Sequence, residues 1–365
     1  MPLMSLTVDK ILGENFMKTK QVVFTDKKQV EFIEYELGNL ADNAVLCKTK
    51  ISGISHGTEM TGYLGYSPFI ERTIVGGGYF RDKVEGDPDF FPYKWVGYDA
   101  VGIVEEVGKD VTKYKVGDRV WCQMRHQTYF IFNEDAADAI KLPDRVTDIE
   151  GATVNLSSIS LNGILDAEIK LGDNVVVFGG GFVGLMAVQF AVLSGAKSVV
   201  LIEPDEKRRK VVSGYKNVIA LPMNGEKTTQ DILNALNGLN PDVSIDCSGV
   251  PAGLNGAIKV AGKEGRVVAV GFYSDNARNI VFGEEFIHNR INIIASMSKW
   301  GCANRFSRWN EARILNTIVE LFAKNEITVD NMETKIFNFA QAKDAYELLE
   351  SDKDKPLKAI FVYDE

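Results

Sequence analysis

The sequence predicts an α/β protein in which a doubly wound parallel sheet is inserted into a β-rich domain. Three observations predict this. Residues from about 20 to 141 read as short, half-buried strands separated by Gly-Lys-Asp and Gly-Asp turns. After about residue 150, six short apolar strands alternate with helical patterns, as a parallel sheet with crossover helices requires. The tail then changes to amphipathic helices and a final strand. The first and last portions must therefore combine into one domain, with expected segments 1–155, 156–300 and 301–365.

In chain order, QVVFTDKKQVEFIEYEL reads as strand, turn, strand, and AVLCKTKISGIS alternates like a half-buried strand. AVGIVEEVGKDV, VGDRVWCQM and TYFIFNEDAADAIKLP continue the β pattern. VVVFG, SVVLIE, NVIALP, VSIDCSG, GRVVAVGF and INIIASM are the strands of the parallel sheet. ARILNTIVELFAK and AQAKDAYELLES read as amphipathic helices and KAIFVYD as the closing strand.

At 365 residues, with 45% hydrophobic and 25% charged residues, the chain has an ordinary globular composition and room for two domains. Its net charge of −9 argues against a nucleic-acid or membrane-surface partner and points to a small-molecule substrate. Cys47, Cys122, Cys247 and Cys302 are scattered without a C-x-x-C pair, which suits a reducing compartment. The N-terminus lacks the apolar core of a signal peptide, and no apolar run reaches the ~18 residues of a spanning helix. A cytoplasmic location is expected.

The most informative stretch runs from Val175 to Arg209. A buried strand leads into Gly179, Gly181 and Gly184 at G-x-G-x-x-G spacing, with Phe182 and Val183 inside the motif as further cofactor candidates; a helical pattern follows (Leu185, Val188, Phe190, Ala191, Leu193), and Glu203 closes the next strand nineteen residues past the last glycine. Gly179 permits the tight turn, Gly181 lets backbone approach a pyrophosphate, and Gly184 lets helix and strand pack closely. The helix start offers N–H groups and positive dipole charge to phosphates. Glu203 can accept hydrogen bonds from adenosine ribose hydroxyls and repels a 2′-phosphate, so NAD is expected over NADP. Arg208 and Arg209 are the counterweight, because an arginine can hold that phosphate. Ser248, Val270 and Phe272, at the ends of later strands, complete the cofactor candidates of this Rossmann domain.

These motifs, together with SGISHGTE, GYDAVGIVEEVGKDVTKYKVGDRV and GRVVAVGF, resemble the medium-chain dehydrogenase/reductase superfamily, whose archetype is the zinc alcohol dehydrogenase. The resemblance covers nearly the whole chain. It implies a GroES-like catalytic domain, hydride transfer to or from a CH–OH group, and Arg208 packed on the adenosine ribose. It also implies pairing through the edge strand INIIASM, hence a homodimer or homotetramer.

The metal ligands of that family are missing here. Ser55 stands at the cysteine position, Tyr98 at the histidine and Asp99 at the glutamate, and residues 152–158 contain no Cys, His, Asp or Glu. Serine and tyrosine must lose protons of high pKa to bind zinc. Cys122 alone, in WCQMRH, cannot form the family's four-cysteine structural site. No zinc is expected; the alternative is a rearranged site of His56, Glu59 and Asp99. The tail SMSKWGCANRFSRWNEAR looks like a zinc-free branch that includes bacteriochlorophyllide-type and threonine-dehydrogenase-like proteins.

Without a metal, a side chain must move the hydroxyl proton. If the fold is retained, Ser55, His56, Tyr98 and Asp99 face the crevice. His56 titrates nearest neutrality and is the first general acid/base candidate; otherwise it is a loop histidine satisfied by backbone. Tyr98 can polarise a carbonyl or fill the vacated metal cavity. Asp99 can orient His56 or Tyr98, or cap backbone N–H groups. Glu59 is a pocket carboxylate for substrate hydroxyls or an exposed ion pair. Residues 63–95 form an aromatic-rich insert that reads as a lid or wall, or as a packed surface loop or subunit contact. Lys299, Arg305 and Trp309 could line the pocket from the other side.

The expected function is a zinc-independent, NAD-dependent dehydrogenase acting on a secondary alcohol or ketone of a sugar, polyol or ring metabolite. The alternatives are an NAD(P)H-dependent quinone or enoyl reductase, and a cofactor-binding protein without catalysis.

Overall fold

The computed structural model describes residues 17–273, 279–302, 308–351 and 355–364, so Arg305 and most of the charged stretch 352–355 lie outside the described residues. Strands β1 (Lys18–Asp26) and β2 (Gln29–Glu36) form an antiparallel pair. β3 (Ala44–Ile54) is the spine of the first domain. It is followed by helix α1 (Thr58–Tyr63) and by a hairpin of β4 (Arg72–Val75) and β5 (Tyr79–Asp82). Next come β6 (Ala100–Val107), β7 (Arg119–Cys122), β8 (Tyr129–Asn133) and β9 (Ala139–Lys141). β6 pairs along one edge of β3, and β8 takes residues 44–48 of the other edge. The rest of that edge, residues 51–54, is filled by the last strand of the chain.

Helices α2 (Asp148–Gly151) and α3 (Val154–Ala167) lead into the second domain. Its six strands are β10 (Asn174–Phe178), β11 (Ser198–Ile202), β12 (Val218–Leu221), β13 (Val243–Asp246), β14 (Arg266–Ala269) and β15 (Asn292–Ala295). All pair in parallel in the order β12-β11-β10-β13-β14-β15. The chain order reverses between β10 and β13, the place where such sheets open a ligand crevice. The continuous apolar reading of β10 follows from burial on both faces. Val175 and Val177 join the core with α3 and helix α4 (Phe182–Leu193), while Val176 and Phe178 face the opposite layer. That layer holds α6 (Lys227–Ala235) and α7 (Pro251–Val260); the short helices α5 (Glu206–Val211) and α8 (Glu285–His288) complete the crossovers.

The tail supplies α9 (Glu311–Ala323), β16 (Thr334–Asn338), α10 (Ala342–Glu350) and β17 (Lys358–Val362). β17 runs antiparallel to β3, pairing Ile360 with Gly53 and Phe361 with Ser52. This pairing returns the end of the chain to the first domain and places Lys358 beside the ligand-loop segment. Among the described residues no helix is long and apolar enough to cross a membrane.

The insert divides in two. Phe90 and Tyr93 stack at 4.8 Å against Phe24 and the end of α1, whereas Tyr66, Phe69, Tyr79 and Trp95 are exposed.

Candidate active site

The cofactor turn is built by close backbone approach. Gly179 has φ of +95°, and a Cβ there would lie 2.8 Å from Ser248 backbone. A Cβ on Gly184 would lie 1.8 Å from the Gly179 carbonyl oxygen. Gly181, the N-cap of α4, faces open space, with nothing within 4 Å of its Cβ position. The helix start has no side-chain cap and no acidic residue in its first turn, which leaves a positive end suited to an anion.

Glu203 is buried at the end of β11, accepting the Gly180 N–H at 2.6 Å and the Asp205 N–H at 2.8 Å. Arg209 is spent on the Glu203 and Pro204 carbonyls, both at 2.6 Å. Among the described residues Arg208 keeps only a long ion pair, 4.0 Å, to Asp205. Ser248 donates to Asp246 at 2.6 Å, Val270 packs on Gly163 of α3, and Phe272 stands exposed at the end of β14.

The facing wall is carried by the end of β3 and the residues before β6. The Tyr98 hydroxyl donates to Ser55 Oγ at 2.5 Å, and the Thr58 N–H also reaches that oxygen, at 3.3 Å. Burial, with the Glu59 charge adding to it, raises the Tyr98 phenol above its usual range despite the Ser55 bond, so it stays protonated at neutral pH. Asp99 is fully buried and takes the Trp121 indole N–H at 2.8 Å and the backbone N–H groups of Asn155 and Leu156 at 2.9 and 3.2 Å. It therefore joins the first domain to the start of α3. Burial pushes its pKa up to about 6 against those bonds and the Lys358 charge. Glu59 is buried rather than exposed; it holds the Ser55 N–H at 2.7 Å and meets His126 and Tyr346.

His56 has its Nε2 buried and, among the described residues, without a hydrogen-bond partner. Burial first, then the charges of Lys358, Lys355 and Arg208, pull its pKa well below the imidazole norm. Those cations come from both domains, so the orphaned nitrogen stands in a field that attracts anions. Lys358 is itself 1% exposed, donates to the Ile54 carbonyl at 3.2 Å, and sits 5.6 Å from the Phe182 ring, the first residue of α4. Burial lowers its pKa to about 8, although Asp99 and Glu59 oppose the shift.

The residues at the metal-ligand positions do not fit zinc. Ser55 and Tyr98 are bonded to each other, and the Asp99 oxygens are taken by N–H donors. Among the described residues no group of three or more His, Cys, Asp or Glu is placed to hold a metal ion. The nucleotide turn, by contrast, fits a dinucleotide: an uncapped helix start, an open Gly181, an orphaned imidazole and a buried lysine converge beside it.

Sequence reading missed Lys358, His126, Tyr346 and Tyr363. Lys358 carried one usable signal, a lysine opening an apolar strand. The other three meet Glu59 or Ser52 only through tertiary contacts. Lys299 is exposed, and Trp309 is covered by the Arg313 guanidinium at 3.9 Å.

Residues 42–142 match the alcohol dehydrogenase GroES-like domain family, and residues 183–312 match the zinc-binding dehydrogenase family. The chain is 26% identical over 333 residues to a D-guloside 3-dehydrogenase of Shigella flexneri, covering 90% of this chain and 95% of that one. Among solved structures, a zinc-binding dehydrogenase from Sinorhizobium meliloti 1021 bound to NADP matches with a TM-score of 0.74 and 17% identity, covering 95% of this chain and 99% of the other. The RspB alcohol dehydrogenase of Escherichia coli CFT073, complexed with NADH, matches with a TM-score of 0.72 and 20% identity over 94% and 99% of the two chains.

Proposed function

The chain belongs to the medium-chain dehydrogenase/reductase superfamily, and from that membership we propose that it is a zinc-independent dehydrogenase acting on a secondary alcohol or ketone of a sugar, polyol or ring metabolite. The observation that carries the reading is the Tyr98–Ser55 hydroxyl pair standing at the ligand positions, joined by Lys358 to the glycine turn. A bound nicotinamide dinucleotide supplies or takes up the hydride. The start of α4, His56 and Lys358 would hold its diphosphate, and Glu203 would take the adenosine ribose. Ser55 Oγ already accepts from Tyr98 and Thr58, which leaves its own hydrogen for a substrate oxygen. Tyr98, kept protonated by burial, passes its proton to Ser55 Oγ as Ser55 gives its own to a carbonyl oxygen and the hydride arrives at carbon. This suits the reductive direction. The sugar-acting relative supports the substrate class.

The test is turnover of a panel of keto-sugars, polyols and quinones with NADH and NADPH, alongside metal analysis. Expected are turnover on the sugar or polyol members, no stoichiometric metal and full activity in chelator. Zinc recovered at one per chain and removed only with loss of turnover overturns the mechanism. Activity confined to quinones, or NADH binding with no turnover at all, overturns the substrate class.

Two further outcomes follow from the cofactor wall. Replacing Glu203 with Ala removes the charge opposing a 2′-phosphate and leaves Arg208 to receive one; the NAD-over-NADP preference is expected to fall by about tenfold or more. Paired binding titrations with NADH and NADPH check it. Lys358 makes cofactor affinity pH-dependent, because loss of its proton near pH 8 removes a positive charge from the diphosphate wall. Stability of the free protein moves the other way. The Lys358 pKa is lower in the folded chain than in the unfolded one, so the unfolded chain binds the extra proton between about 8 and 10.5 and stability rises with pH in that window. Lys358→Met should flatten both profiles and raise stability at pH 7 while weakening NADH binding. Urea unfolding and NADH titration across pH read the two effects; unchanged profiles in the variant exclude the assignment.

A further inference from the structure

We propose that His126 is a positioning residue that fixes Ser55 and Tyr98 relative to each other, acting on Ser55 through Glu59 and on Tyr98 through Gly97. His126 is completely buried. Its Nε2 lies 3.0 Å from Glu59 Oε2, and the other oxygen of that carboxylate takes the Ser55 backbone N–H at 2.7 Å. Its Nδ1 lies 2.7 Å from Ser52 Oγ, which in turn lies 2.8 Å from the Tyr363 hydroxyl. One arrangement satisfies the whole chain with Glu59 as a carboxylate. Nε2–H donates to Glu59, Ser52 O–H donates to Nδ1, and Tyr363 O–H donates to Ser52, while the Tyr346 hydroxyl also donates to Glu59. The ring cannot turn over without breaking two buried bonds.

The second tie is steric. The His126 N–H donates to the Val96 carbonyl at 2.9 Å, two residues before Tyr98. Gly97 has φ of +94°, and a Cβ there would lie 2.7 Å from His126 N and 2.8 Å from its Cγ. The imidazole is therefore packed directly under the backbone that aims Tyr98. The Phe361 ring of β17 meets it edge-on at 4.9 Å and closes the remaining side. A single buried ring thus touches both Glu59, which holds the Ser55 N–H, and Gly97, which precedes Tyr98.

The activity readout rests on the hydride-transfer reading above; the spectroscopic one does not. His126→Phe keeps an aromatic ring and removes both ring hydrogen bonds. His126→Gln keeps an amide donor toward Glu59. In full-length protein, His126→Phe is expected to lower kcat by about 10- to 100-fold, with the NADH dissociation constant changed by no more than about twofold, and His126→Gln should recover part of the loss. In protein labelled with 13Cζ-tyrosine, the Tyr98 resonance, assigned by its absence in Tyr98→Phe, should shift in His126→Phe and return toward its original position in His126→Gln. In a Tyr98→Phe background the kcat effect of His126→Phe should largely vanish, since the aim of a missing hydroxyl no longer matters. If His126→Phe does not fold, Glu59→Gln and Ser52→Ala carry the same comparison from either side of the ring. A folded variant with the Tyr98 resonance unmoved, or a kcat loss that multiplies with Tyr98→Phe, overturns the proposal. If the unaltered enzyme turns over no substrate, the reaction reading fails, and the Tyr98 resonance alone decides the role of His126.

Discussion

Tyr98→Phe is expected to lower turnover by about 10² to 10³-fold while leaving cofactor affinity and fold intact. The phenol is half-buried and carried on the short segment between Gly97 and β6, so removing one oxygen leaves no large cavity. Its hydroxyl is bonded to Ser55 Oγ at 2.5 Å, and that oxygen retains the Thr58 N–H when Tyr98 is truncated. The loss should therefore fall on kcat, because the interaction removed is one that strengthens as charge develops on the substrate oxygen. Ser55→Ala should cost at least as much, since it removes the hydroxyl through which the Tyr98 proton reaches the substrate oxygen. Steady-state kinetics with a turned-over ketone, combined with NADH titration, separate the two. A Tyr98→Phe enzyme within about twofold of the original kcat would falsify the proton-donor role.

Gly184→Ala is expected to abolish nucleotide binding and destabilise the second domain by on the order of 3 kcal/mol or more. The added methyl would stand 1.8 Å from the Gly179 carbonyl oxygen and 3.4 Å from Cys247 Cβ. The first contact is with backbone, which no rotamer change relieves. Relief requires α4 to move away from the end of β10, and that shift carries the helix start away from the crevice. α4 is a hydrophobic helix buried along Gly184–Ala191, so moving it also disturbs the core shared with α3. Gly181→Ala is the contrast, with nothing within 4 Å of the new methyl. It should fold normally and weaken NADH binding alone by crowding the ligand. Thermal unfolding and nucleotide titration of the two variants distinguish a packing glycine from an access glycine.

Much of the fold was legible because local pattern and tertiary burial agree. The central strands β10 and β11 are continuous apolar runs, and their burial on both faces is why they read so clearly. Helix α3 was harder to read. Twelve of its fourteen residues are buried and several are polar, among them Ser157, Ser160 and Asn162, so no solvent face gives it a helical stripe. β16 was missed for the opposite reason, since four of its five residues are partly or fully exposed and it is held by pairing to β17.

The sequence by itself determined the order of the domains, the glycine turn with Glu203 behind it, and the identity of the residues Ser55, Tyr98 and Asp99 at the positions the family resemblance marks. Each of these is local: a spacing, a residue type, or a period that short-range sterics translate directly into backbone shape. Only the tertiary structure decided which groups meet. It drew Lys358 from the last strand to the glycine turn, took Asp99 and Glu59 inward onto N–H donors, and set His126 beneath Gly97. Those contacts join residues separated by up to about three hundred positions, as Lys358 and Ile54 are. Strand pairing and burial create such neighbours, and a one-dimensional pattern holds no record of them.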